Sequence, residues 1–147
     1  MRKKIIWSGL GLMVVALLAA PVYASAWEWL TNHQITSFSG QSGTTINFKW
    51  KVNTSGSYHE YRSAYWATST SAVEEPASWN EWANCRAHGV VTSNITDFCT
   101  ATAPETDTTT TLWVRATTNY SGCGTYTAFP NVSSCGDVSN VTTTLTP

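Results

Sequence analysis

Residues 44–52 read TTINFKWKV. Ile46, Phe48, Trp50 and Val52 alternate without error with Asn47, Lys49 and Lys51. Only an extended chain sends every second side chain to the same side, so the stretch predicts a strand with one apolar and one polar face. β-Branched and aromatic residues suit such a pleated, half-buried surface. Residues 108–120, TTTTLWVRATTNY, repeat the pattern, with Leu112, Val114 and Ala116 against Trp113, Arg115 and Thr117. The first face is expected in a core, which turns a Trp and an Arg outward.

Working outward, NTSGS at 53–57 is a turn cluster, and YHEYRSAYWATS at 58–69 is a long strand with both faces partly apolar. Tyr61, Tyr65 and Ala67 share one face of it; Arg62, Ala64 and Trp66 share the other. Residues 69–94 are irregular and punctuated by Pro76 and Gly89, with room for short strands at 79–84 and 87–92. ITDFCTATA at 95–103 and VSNVTTTLTP at 138–147 are further strands, and QITSFSG at 34–40 serves as a first edge strand. Residues 121–137 form a long Gly-punctuated loop or hairpin. About seven short strands with turn signals between them, and no long helical period, predict an all-β, antiparallel, seven-stranded β-sandwich.

The N-terminus has a different character. Arg2, Lys3 and Lys4 precede an apolar run from Ile5 to Ala20, too short to span a bilayer comfortably, and Ala24-Ser25-Ala26 is a small-x-small cleavage site. Residues 1–26 are therefore expected to be a signal peptide with a short helical core, cleaved on export. Residues 27–34 follow as a leader, and 35–147 form the sandwich. Cutting 26 of 147 residues leaves 121, enough for one domain with a real core. Cleavage removes three of eight basic residues and leaves five against nine acids, a net charge near −4. That balance argues against a nucleic-acid partner or an anionic membrane surface.

All four cysteines, Cys85, Cys99, Cys123 and Cys135, lie in the exported part. An even number there argues for two disulfides. Three pairings exist in principle; Cys85 with Cys99 and Cys123 with Cys135 are favoured because each closes a short loop. The spacing does not suit zinc. Compartment and disulfides together point to a secreted or periplasmic destination, with no membrane association after cleavage.

These residues resemble a known family. TTINFKWKV is similar to the second strand of a fibronectin type III domain, with Trp50 in the place of its core Trp. TLWVRATTNYSG followed by SNVTTTLTP is similar to that family's last two strands. EYRSAYWATS with SWNEWANC resembles bacterial fibronectin-III-like and immunoglobulin-like modules. The resemblance covers about residues 35–147 and implies the sandwich fold, but it implies no particular activity. Thr110 stands where the family often has Tyr. No Cys lies in the Trp50 or Val114 strands, which favours a fibronectin-III-like over a true immunoglobulin pattern.

Nothing in the chain assembles a recognisable reaction centre. His33, His59 and His88 lack motif partners, and Glu74 and Glu75 sit side by side in a polar loop. Asp97, Glu105, Asp107 and Asp137 lack calcium-loop spacing. No enzyme activity and no cofactor or metal is expected. The N-x-[ST] triplets, as at Asn94 and Asn140, are common by chance in so Thr- and Ser-rich a chain.

The aromatic excess is the informative feature: eight Trp, seven of them beyond residue 26. If Tyr61 and Tyr65 point inward, Arg62 and Trp66 join Trp113 and Arg115 on one outer sheet face, with Trp79 and Trp82 beside it. Such a platform would recognise a protein or glycan, since Trp and Arg dominate hot spots and Trp stacks on sugars. The same residues could instead stack on one another, or be covered by residues 71–100. The expectation is thus a non-enzymatic, exported bacterial binding or adhesion module. The alternative is a structural subunit of a filament or surface assembly, a homo-oligomer in which the leader adds a strand to its neighbour.

Overall fold

The computed structural model describes residues 28–54, 58–91, 93–120 and 136–147. The expected signal peptide, and Cys123 and Cys135 with their proposed bridge, lie outside the described residues. Among the described residues there are eight strands: β1 (Glu28–Phe38), β2 (Thr45–Thr54), β3 (Tyr58–Ser69), β4 (Asn80–Glu81), β5 (Ala87–Val91), β6 (Ile95–Thr102), β7 (Thr110–Tyr120) and β8 (Asp137–Leu145). They build two antiparallel sheets, one ordered β1-β2-β6 and the other β4-β3-β7-β8, with β5 also paired to β3. The fold is an all-β sandwich.

The core is what the two opening stretches anticipate. Ile46, Phe48, Trp50 and Val52 of β2 face Leu112, Val114 and Ala116 of β7, and all seven are at most 1% exposed. Burying each of the larger side chains contributes about 1.5–3 kcal/mol. Phe48 and Trp50 stack at 5.8 Å between ring centroids.

Two elements differ from expectation. The segment expected as a leader is sheet: β1 begins at Glu28, and Glu28 to Thr31 pair with Thr54 to Lys51. Its alternation is illegible because the register shifts between Thr31 and Gln34 and again between Ile35 and Ser37, with Asn32 at φ 53°. Each irregularity reverses the in–out phase of the residues beyond it.

The second difference is the phase of β3. Ala64 pairs with Ala116, Trp66 with Val114 and Arg62 with Thr118, so Arg62, Ala64 and Trp66 lie on the core side. Tyr65 pairs with Arg115 and takes the outer side. Both faces of β3 are buried, Ala64 at 0% and Tyr65 at 4%, so hydrophobicity alone does not choose between them.

Both flanks of the sandwich are tied across. Beside β4, the Trp82 ring tucks between the sheets, 5.2 Å from Phe48, and its Nε1–H donates to the Thr102 carbonyl at 3.0 Å. The disulfide Cys85–Cys99 ties the adjoining 3₁₀ turn (Ala83–Cys85) to β6, in agreement with the pairing favoured from spacing. On the other flank, β1 and β8 are zipped at both ends. The Ser42 amide donates to Thr146 and the Thr146 amide to Gly40, while the Leu30 amide donates to Asp137.

Candidate functional site

The outer face of the four-stranded path carries the sequence-predicted Trp113, Arg115 and Trp79, but it is not an open platform. After β3 the chain turns on Ser69 and Ser71, whose hydroxyls accept from the amides of Ser71 and Glu74, and residues 71–79 then cross the face as a strap. Trp113 Nε1–H donates to the Ser71 carbonyl at 2.9 Å. The Arg115 guanidinium donates through Nε to Asn140 at 2.9 Å and pairs through Nη2 with Glu75. Asn140 in turn donates to the second Glu75 oxygen at 3.1 Å. Trp79 closes the stack, its ring 4.0 Å from Arg115 Cζ and edge-on to Trp113 at 6.4 Å. Trp113 is 6% and Arg115 2% exposed. The strap thus meets the polar and π valences of these side chains from within the molecule.

Of the remaining platform candidates, Arg62, Trp66 and Trp82 are on the opposite side of the sheet. The Arg62 Nε lies 2.7 Å from Asp97 Oδ2, an ion pair that bridges the two sheets. Trp66 packs against the core, 6.5 Å from Trp82. The six residues expected on one surface are therefore divided between a strapped outer face and the interior. The reason is the phase of β3 and the path of residues 71–82.

Next to the strap, Ser63 and Tyr65 lie over Glu81. Ser63 donates to Glu81 at 3.0 Å, and Arg86 binds the same carboxylate through Nε and Nη2 at 3.0 and 2.5 Å. Burial, and then the Glu81 charge, push the Tyr65 hydroxyl above the usual phenol range. Three of the four acids considered for calcium are spent separately. Asp97 pairs with Arg62, Asp137 accepts from the Leu30 amide and Glu105 accepts from Ser42. Among the described residues no group of three or more His, Cys, Asp or Glu is placed to hold a metal. None of their helices is long and apolar enough to cross a membrane.

His33 lies at the β1 irregularity, its ring edge-on to Trp50 and Phe48 at 6.2 and 6.5 Å. Burial lowers its pKa to about 4, opposed in part by the backbone of Ser139. It lines an open groove of about 550 Å³ between β1 and β8, walled by residues 33–38 and 141–143.

The exposed aromatic surface belongs to the other sheet. Across β1-β2-β6 the outward side chains form rows: Thr31–Lys51–Thr96, Gln34–Lys49–Phe98 and Ser37–Asn47–Thr100. Trp29 stands beside Asn53 at the end of this grid. Phe98 is 75% and Trp29 44% exposed. Hydrogen bonds fix the polar members in place: Asn47 to Ser37 at 2.8 Å, Thr100 to Asn47 at 2.5 Å, and Asn53 to Thr31 at 2.9 Å. The signal for Phe98 is present in ITDFCTATA, where it alternates with Asp97 and Cys99 and shares its phase with Thr96 and Thr100. As a lone large apolar residue it reads as core material until the phase of its partner β2 is applied.

No family model, curated protein or solved structure matches the chain.

Proposed function

We propose that this chain is a non-enzymatic, exported recognition module of the fibronectin-III-like kind, binding a protein or glycan through the outer face of its three-stranded sheet. The observation that carries this reading is the exposure of Phe98 and Trp29 on a hydrogen-bonded sheet face, while Phe48, Trp50, Trp66, Trp82 and Trp113 are packed or strapped. Exposed aromatic area on a rigid sheet offers a partner burial at little cost in ordering. The sheet orders β1-β2-β6 and β4-β3-β7-β8 support the family resemblance. The signal-like N-terminus and the Cys85–Cys99 disulfide support export.

The test is a binding screen of the purified mature chain against glycans and secreted proteins, run in parallel with Phe98→Ser. A ligand lost in Phe98→Ser but retained in Trp113→Phe is the expected result. Ligands bound equally by wild type and Phe98→Ser would remove the three-stranded sheet from the reading.

A further inference from the structure

We infer that the occupant of this face is an anionic glycan, a saccharide chain bearing carboxylate or sulfate groups; the inference rests on the recognition reading above and specifies its ligand. Charge distinguishes this face from the rest of the molecule. Lys49 and Lys51 project side by side from the central strand β2, about 7 Å apart along it. Neither has a carboxylate within salt-bridge distance among the described residues, whereas Arg62, Arg86 and Arg115 are each paired. The rows that flank them hold Thr, Gln, Asn and Ser and no acid. A basic strip on a chain whose mature net charge is near −4 is a local departure from the whole, and it complements a negative partner.

The aromatics are arranged to suit an extended chain. Trp29 and Phe98 stand on opposite strands of the sheet, four residues apart along β2, which sets them about 16 Å apart on a diagonal. Lys51 lies midway between them, and Lys49 pairs directly with Phe98. A polymer crossing this diagonal meets an aromatic at each end, one cation in the middle and a second beside Phe98. Between these points the surface offers neutral amides and hydroxyls, such as Gln34 and Asn47, which suit sugar hydroxyls. An acidic peptide would use the cations but has little need of that neutral polar field. A single-stranded nucleic acid needs a longer basic track than two lysines supply.

The experiment is affinity electrophoresis of the mature chain through gels containing polygalacturonate, its methyl ester, poly-L-glutamate or poly(dT). Preferential retardation by polygalacturonate is the expected result. Phe98→Ser and the pair Lys49→Gln/Lys51→Gln are each expected to weaken it at least tenfold, with unchanged far-UV circular dichroism and melting temperature. Equal retardation by the methyl ester, by polyglutamate or by poly(dT) would overturn the anionic-glycan assignment, as would full retention in the lysine variant. Failure with polygalacturonate, alongside a Phe98-dependent ligand in the broader screen, overturns this inference and leaves the recognition face standing. Phe98-independent binding throughout overturns both.

Discussion

His33 and Arg115 are two polar side chains that the fold buries in different ways. The Arg115 guanidinium, 2% exposed, is surrounded by Glu75, Asn140 and the Trp79 ring. Glu75→Gln leaves that cation with neutral partners, and the expected cost is about 1–3 kcal/mol in urea unfolding. His33 is kept neutral instead. Its native pKa of about 4 lies below the 6.5 of the unfolded chain, so the unfolded state takes up a proton first as the pH falls. The stability it contributes is complete above pH 6.5 and is lost on the way down to pH 4. Between pH 7 and pH 5 the loss is about 2 kcal/mol. Urea titrations at the two pH values should show this difference for the wild type and a flat response for His33→Phe. Equal slopes in both proteins would mean that His33 is not desolvated in the native state.

At the scale of elements, the sandwich is held by how its flanks are closed. An uncovered edge between two sheets would admit water to the core and offer backbone to other chains. Trp82 and the Cys85–Cys99 disulfide seal one flank; the Leu30–Asp137 and Gly40–Thr146 contacts tie the other at its two ends, with the groove beside His33 between them. The disulfide spans 14 residues, so Cys85→Ser/Cys99→Ser is expected to lose about 3 kcal/mol, read as a lower melting temperature than that of oxidised wild type. The same elements explain what could be read beforehand. β2 and β7 alternate between core and outside, so their sequences state their own phase. β3 is buried on both faces, with Tyr65 over Glu81 and Trp66 in the core, and its phase is set by its register with β7, which lies fifty residues on. β1 hides a strand under two register shifts. The strap over Trp113 is held by long-range contacts, Trp113 with Ser71, Arg115 and Asn140 with Glu75, and Trp79 on Arg115, that no local pattern announces.

For the whole molecule, the proposed recognition could use either a free arm or a finished surface. Residues 28–34 are engaged in β1, paired to β2 and tied to β8 through Asp137, so within the described residues the arm needed for strand exchange is already in use. Donating it would break the β1 ladder and uncover Leu30 and the groove beside His33. The face of β1-β2-β6, by contrast, is available without any rearrangement. The mature chain is therefore expected to remain monomeric in light scattering at high concentration. Phe98→Ser, a 75%-exposed site, is expected to change stability by no more than about 0.5 kcal/mol while removing ligand binding. Trp113→Ala should do the reverse: it deletes a buried ring from beneath the strap, costs about 3–5 kcal/mol, and leaves affinity unchanged wherever enough protein stays folded to measure it. This double dissociation, read by calorimetry for stability and titration for binding, separates the surface that recognises from the face that only packs. A loss of affinity in Trp113→Ala at full folding would return the binding site to the strapped face.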